Sequence, residues 1–320
     1  MKSTVTILLP VYNAEQTVSE TIDSILVQTY SNFELLIIND GSDDRSEEII
    51  TSYSDKRIRY YANQENRGLI YTLNRGIEIA EGDYIARIDA DDLMLKNRLE
   101  VQVDYMERHL DVVALGTAMT VMQGNRRKAH CPPVRHIEAY MYYGCPLIHP
   151  SAIIRKAVLW EHHIKYDYDY KHAEDYKFWY DLSKVGRLVN ISDRLLIYRV
   201  SDSQVSKVYH SQQLNTARRV KALLIEDFRK KYNIDFLINR DIHSIIALER
   251  CIKGNKIGSD ELEEYYAVLL ACYMSVVPKS IVVSHFLLSR IWLCKSFPIK
   301  YTVAILMQGL GLKNFEYLGF

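Results

Sequence analysis

Apolar runs of strand length alternate with helix-period segments over the first third of the chain, and this alternation constrains the fold more than any other feature. Val5–Leu9 is a near-continuous apolar run that ends in Pro10-Val11-Tyr12-Asn13. Residues 15–28 carry apolar side chains at Val18, Ile22, Ile25 and Leu26, one face of a helix. Phe33–Ile38 repeats the strand pattern and stops at Asn39-Asp40-Gly41-Ser42. A second helix follows from Asp43 and Asp44 through Ile50, then a short strand at Ile58–Tyr61, a helix over 69–80, and a strand at Asp83–Ile88 running into Asp89-Ala90-Asp91-Asp92. Buried parallel strands read as continuous apolar runs, and β–α alternation with polar strand ends predicts an α/β, doubly wound, mostly parallel sheet.

Further along, the pattern predicts a helix over Lys96–His109, strands at Val112–Leu115, Pro150–Arg155 and Leu188–Arg199, and a helix over 173–185. Residues 119–148, with Cys131-Pro132-Pro133 and Gly144-Cys145-Pro146, read as irregular. From 207 to 320 there are helical runs without strands, an appended C-terminal helical region. Its apolar stretches, Tyr265–Pro278 and Tyr301–Leu312, are shorter than a bilayer crossing needs.

Charge excludes some functions and leaves others open. The 40 Lys and Arg residues balance 40 Asp and Glu, so no global field draws the chain to nucleic acid. The balance is uneven: residues 1–206 stand at −6 and residues 207–320 at +6. A basic helical tail suits a peripheral contact with an anionic membrane face; a helical cap or a dimer contact is the other reading. The five cysteines form neither a C-x-x-C pair nor an even framework, which points to a reducing compartment. The opening apolar run is too short for a signal-peptide core, so the expected location is the cytoplasm, with the tail as the candidate for contact with the inner membrane.

In an open parallel sheet, ligands bind beyond the carboxyl ends of the strands. Three such ends are polar here: Tyr12-Asn13, Asp40-Gly41-Ser42 and Asp89-Ala90-Asp91. None is a G-x-G-x-x-G or Walker loop. The carboxylates of Asp89-Ala90-Asp91-Asp92 repel one another and gain from a hard divalent cation, Mg2+ or Mn2+, which can also neutralise a diphosphate. Alternatively they form a solvated loop capping the helix near Lys96. In Ala173-Glu174-Asp175-Tyr176, Asp175 falls in the first turn of a helix, where the macrodipole favours an ionised carboxylate able to take a proton from a sugar hydroxyl. The simpler role for Glu174 and Asp175 is helix capping.

Together, Pro10-Val11-Tyr12-Asn13, Asn39-Asp40-Gly41-Ser42-Asp43-Asp44, Asp89-Ala90-Asp91-Asp92 and Glu174-Asp175 resemble the family 2 glycosyltransferases with the GT-A fold. Asn66-Arg67-Gly68-Leu69-Ile70, Tyr84–Asp92, Pro146-Leu147-Ile148-His149, Ala173–Trp179 and Gly186-Arg187-Leu188 add a closer resemblance to the lipooligosaccharide β-1,3-N-acetylhexosaminyltransferases of Gram-negative bacteria. The resemblance covers residues 3–215 and fades in the tail. It implies a GT-A catalytic domain at 1–206, with a nucleotide-sugar half at 1–100 and an acceptor half at 101–206. It further implies an inverting, metal-dependent transfer of a hexose or N-acetylhexosamine from a UDP-sugar to an oligosaccharide or lipid-linked saccharide, in the synthesis of lipopolysaccharide or capsule.

By the same resemblance, Pro10, Tyr12, Asn13, Asp40, Gly41, Asn66, Gly68, Asn74, Arg87, Asp89 and Ala90 face the nucleotide sugar, and Asp91 holds the metal. Asp175 is implied as the general base, with Glu174 as its neighbour or as a ligand for the acceptor, and His149 lies in the acceptor segment. The chain departs from the family pattern in one place. Where relatives carry a histidine shortly after the Tyr-Arg pair, Tyr198-Arg199 is followed by Val200-Ser201-Asp202. Either that histidine is dispensable, or Asp202 or His210 replaces it, or activity is altered. Two other functions compete: a nucleotidyltransferase, which would need a Gly-rich phosphate loop, and a noncatalytic sugar-nucleotide-binding or scaffold protein.

Overall fold

A computed structural model gives the fold; it describes residues 4–132, 134, 137–200 and 209–235, together with 237, 238, 247, 248 and 268. Two compact units divide the chain, one comprising Met1–Ile137 and Cys145–Arg218, the other Glu138–Gly144 and Arg219–Phe320.

The first unit is built on one sheet. In chain order its elements are β1 (Val5–Val11), α1 (Val18–Leu26), β2 (Phe33–Asn39), α2 (Ser46–Thr51), β3 (Ile58–Ala62), α3 (Leu69–Ile79), β4 (Tyr84–Arg87), β5 (Leu93–Met94) and α4 (Arg98–Arg108). There follow β6 (Val112–Gln123), β7 (Arg126–His130), the short α5 (Ile137–Tyr140), β8 (Ile153–Arg155), α6 (Lys156–Glu161), α7 (Glu174–Leu182), β9 (Arg187–Arg199) and α8 (His210–Lys231), of which α5 and α8 have residues in both units.

The strands lie in the order β3-β2-β1-β4-β8-β6-β9-β5, with β7 attached to β6. Strands β3, β2, β1 and β4 are parallel, as are β6 and β9. Strands β8, β7 and β5 run antiparallel to their neighbours, so the sheet is mixed. Strand order reverses at β1, which has β2 on one side and β4 on the other, and a crevice at the carboxyl ends of β1 and β4 is the geometric result.

β1 and β2 are buried along their whole length. Val5, Ile7, Leu9, Leu35 and Ile37 pack with Val18, Ile22 and Ile25 of α1 in one core that also takes in Leu99, Val103 and Met106 of α4. A proline inside a central strand removes a ladder donor, yet Pro10 fits. The Leu8 carbonyl accepts from Ile88 N–H, so Pro10, two residues on, turns to the same side, beyond the point where the β1–β4 register ends at Leu8↔Arg87. Pro10 thus gives up no hydrogen bond and marks where the sheet opens.

The segment expected to be irregular, 119–148, departs from that reading. β6 continues to Gln123 and returns as β7, with Gln123 opposite Arg126 across the two-residue turn Gly124-Asn125. Gly124 has φ +54° and Asn125 is not left-handed, the pattern of a II′ hairpin turn. β5 was also unanticipated; its two residues pair with Ile197 and Leu196.

In the second unit, Tyr142 meets Phe228 edge to face at 6.3 Å, and Lys221 donates to the Tyr143 carbonyl. The apolar stretch Tyr301–Leu312, and Tyr265–Pro278 apart from the buried Val268, lie outside the described residues. Among the described residues, no helix is long and apolar enough to cross a membrane.

Candidate active site

Polar strand ends converge on one cleft of about 940 Å3, within the usual range for small-ligand sites. Pro10, Tyr12 and Asn13 line it from the end of β1, and Arg87, Asp89, Ala90 and Asp91 from the end of β4. Glu174 and Asp175 line it from the start of α7, and His149 from the loop before β8. Aspartates 91 and 175, far apart in sequence, therefore open onto the same cavity.

The remaining predicted residues, Asp40, Gly41, Asn66, Gly68 and Asn74, do not line the cleft. Asp40 is buried, and its carboxylate accepts from Asn63 Nδ2 and from the backbone N–H groups of Arg67 (3.0 Å) and Gly68 (2.8 Å). It shapes the loop that starts α3. Gly41 sits where a Cβ would lie 2.5 Å from the Glu65 carbonyl carbon and 2.7 Å from Asn66 N, at φ +68°, so only glycine lets these two loops meet. Asn74 exchanges two hydrogen bonds with the backbone of Tyr166, at 2.9 and 2.8 Å. Asn13 and Ser42 tie the loops after β1 and β2 together: Asn13 N–H donates to Ser42 Oγ, and Asp43 N–H donates to Asn13 Oδ1.

The acidic loop is held from several sides. Thr21 Oγ1 donates to the carbonyls of Ala90 and Asp92, both at 2.9 Å, and Arg199 N–H donates to Asp92 Oδ1. Beneath it Arg98, fully buried, donates to the backbone carbonyls of Arg87 (2.8 Å), Pro150 (2.8 Å) and Ala152 (3.3 Å). Carboxylate oxygens of Asp89, Asp91 and Asp92 lie within 4.8 Å of one another. Asp89 pairs with Arg87. Burial and the Asp89 charge push Asp91 up to about 6, and burial with the Asp89 and Asp91 charges raises Asp92 well above the usual range. Asp92 Oδ2 has no hydrogen-bond partner. Crowded oxygen ligands with raised proton affinity and an unmatched acceptor fit a hard divalent cation, which would relieve the repulsion.

Across the cleft, both acids occupy the first turn of α7, where the helix macrodipole predicts ionised carboxylates. Burial outweighs the dipole: it raises Asp175, and with the Asp175 charge it takes Glu174 up to about 7. Asp175 Oδ1 accepts from Tyr176 N–H at 2.7 Å and Oδ2 from the Cys145 thiol at 3.4 Å, while Glu174 Oε2 has no partner. His149 is buried, bonded through Nε2 to Tyr166 Oη at 2.7 Å, and held neutral by burial and by the Arg87 charge. Of the two substitutes for the family histidine, Asp202 lies outside the described residues and His210 is an exposed residue opening α8. The histidines that line the cleft are His149 and His172, the latter stacked on Tyr209. Sequence reading did not single out Cys145 or Arg98; Cys145 meets Asp175 30 positions away, Arg98 reaches Pro150 52 positions away as well as Arg87, and neither sits in a local motif.

An uncharacterised glycosyltransferase of Haemophilus influenzae is 35% identical over 282 residues, spanning 83% of this chain and 86% of its own. The Escherichia coli protein WfgD, a UDP-Glc:alpha-D-GlcNAc-diphosphoundecaprenol beta-1,3-glucosyltransferase, is 28% identical over 63% of this chain and 79% of its own. Among solved structures, residues 1–349 of TarS from S. aureus, in complex with UDP-GlcNAc, superpose with a TM-score of 0.55 at 16% identity, covering 86% of this chain and 93% of that one. The mannosyltransferase PcManGT from Pyrobaculum calidifontis, in complex with GDP-Man and Mn2+, gives 0.54 at 16% identity over 97% and 86%. The fold is that of the GT-A glycosyltransferases. The profile described as Glycosyl transferase family 2 matches residues 6–162, and the chain belongs to that family.

Proposed function

We propose that this glycosyltransferase moves a hexose or N-acetylhexosamine from a UDP-sugar to a saccharide acceptor, with inversion and with a divalent cation. The observation that carries the reading is the shared cleft, with the acidic end of β4 on one wall and the acidic start of α7 on the other. Asp175 takes the proton of an acceptor hydroxyl whose oxygen attacks the anomeric carbon, while the bond from that carbon to the diphosphate oxygen breaks on the opposite side. Two hydrogen bonds hold the Asp175 carboxylate in place, and the one from Cys145, a weak thiol donor, leaves it basic. Asp91, with Asp89 and Asp92 beside it, would hold Mn2+ or Mg2+, whose chemistry when bound is to neutralise charge on the departing nucleoside diphosphate. In this reading Tyr12 and Asn13, which line the cleft, take the nucleoside on a loop stiffened through Ser42 and Asp43.

UDP as the carrier draws support from the substrate in WfgD's name and the ligand of TarS. A lipid-linked diphosphosaccharide acceptor, and a place in cell-surface glycan synthesis, draw support from WfgD alone. The catalytic unit assigned to 1–206 and the peripheral membrane role of the tail belong to the same reading. A donor screen tests it: purified protein, UDP-, GDP- and dTDP-sugars, a terminal β-galactoside and a diphospholipid-linked GlcNAc acceptor, each with Mn2+ or with chelator. Cation-dependent transfer from one UDP-sugar, giving a β-linkage, is expected. Transfer from GDP- or dTDP-sugars alone refutes the carrier, and UDP binding without any transfer favours the scaffold.

A further inference from the structure

The cleft floor contains a feature that the proposed reaction leaves unexplained. Arg87, the last residue of β4, is 3% exposed, and of its guanidinium nitrogens Nη2 pairs with Asp89 while Nε and Nη1 have no hydrogen-bond partner. Leaving donors of a buried cation unmatched is costly, and such groups normally meet a partner, which at a cleft wall is a ligand. The fork cannot turn away to find one within the protein. Asp89 holds one end, and Arg98 fixes the Arg87 backbone through its carbonyl.

Position selects the ligand atoms. Arg87 ends β4 and Asp89 follows two residues on in the loop, close enough for the two to pair, so Arg87 lies about 6–7 Å deeper into the sheet. Arg87 also neighbours the other side of the cleft: its backbone N–H donates to the Ala152 carbonyl at 2.9 Å, beside the segment that carries His149, and it lines the cleft together with His149, Glu174 and Asp175. It therefore stands between the diphosphate end at Asp91 and the proton acceptor at Asp175. The part of a nucleotide sugar that fills that interval is the sugar ring, whose neutral hydroxyls are acceptors for N–H groups. Building on the proposed function, we infer that Arg87 is the residue that reads the transferred sugar: Nε and Nη1 donate to hydroxyl oxygens of the donor hexosyl ring, and so set which UDP-sugar is accepted. Two N–H groups held in a planar fork fit two neighbouring ring oxygens, a match that a lysine ammonium does not reproduce.

The test compares the unaltered protein with Arg87→Lys, which keeps the charge beside Asp89 but loses the fork. Binding of UDP, and binding and turnover of the preferred UDP-sugar and its 3-, 4- and 6-deoxy analogues, are measured by calorimetry and product formation. A hydrogen bond from a charged donor accounts for roughly 10- to 100-fold. The unaltered protein should lose that much on removal of one or two particular hydroxyls. Arg87→Lys should bind UDP within about threefold, lose about 10²-fold in kcat/KM for the parent donor, and no longer distinguish the deoxy analogues. Equal losses for UDP and UDP-sugar would assign Arg87 to the diphosphate and overturn the inference, as would undiminished discrimination in the variant. If the variant does not fold, a crystal structure of the unaltered protein with the same UDP-sugar decides. Arg87 nitrogens within 3.2 Å of ring hydroxyls support the inference, and nitrogens on phosphate or on water overturn it. An unaltered protein that transfers none of the UDP-sugars refutes the proposed function itself.

Discussion

Glu174 carries a cost that a single isosteric change should remove. Its carboxyl is taken from the ordinary 4.5 to about 7, first by burial and then by the Asp175 charge. A raised carboxyl makes the folded state bind a proton that the unfolded chain releases more readily, so stability falls as pH rises from about 4.5 and levels off above about 7. At about 1.4 kcal/mol per pH unit, the full interval from 4.5 to about 7 amounts to at most about 3.5 kcal/mol. Glu174→Gln keeps the shape and removes the titration. The unfolding temperature of the variant should exceed that of the parent at pH 8.5 by up to about 14 °C, at roughly 2–4 °C per kcal/mol for a large domain. Near pH 4.5, where the parent side chain is also neutral in the fold, the gap should almost close. Differential scanning calorimetry of both proteins at the two pH values, without nucleotide or metal, measures it. A variant no more stable than its parent at pH 8.5, or one with the same gain at pH 4.5, refutes the reasoning.

Asp175→Asn and Asp91→Asn should each lower turnover by about 10²-fold or more, the range for loss of an acid–base or charge-stabilising group. Near-full transfer by Asp175→Asn in a steady-state assay would remove the base assignment. Asn74→Ala gives up both hydrogen bonds to the Tyr166 backbone. It should cost about 2 kcal/mol, visible as several degrees in the unfolding temperature; an unchanged melt would show that the pair is replaced by solvent.

The parallel half of the sheet was legible because each of its strands is an apolar run closed by residues that cannot continue it, as at Asn39-Asp40-Gly41 and Asp89-Ala90-Asp91. The hairpin β6–β7 was not. Its signal is the pair Gly124-Asn125, and the returning strand, Arg126-Arg127-Lys128, is exposed and so lacks the apolar alternation by which strands are found. Among the residues that line the cleft, those that follow a strand or open a helix were legible from local pattern. Residues whose roles depend on distant partners were not: Cys145 meets Asp175 only through folding, and Arg98 looks in sequence like an ordinary solvated helix residue yet is wholly buried. Charge at the helix end also misled. The dipole at the start of α7 argues for ionised acids, but the surroundings that decide their protonation come from residues remote in the chain.

Arg98 has a mechanical consequence. One guanidinium clasps the main chain of β4 and of the 149–152 segment, so the floor under the acidic loop and the wall beside His149 are riveted to the same point on α4. Those two surfaces cannot drift independently; the gap between them behaves as one mechanical coordinate, set by where α4 lies. Attempts to widen the gap for a bulkier sugar should leave this rivet alone and work on side chains that face the opening.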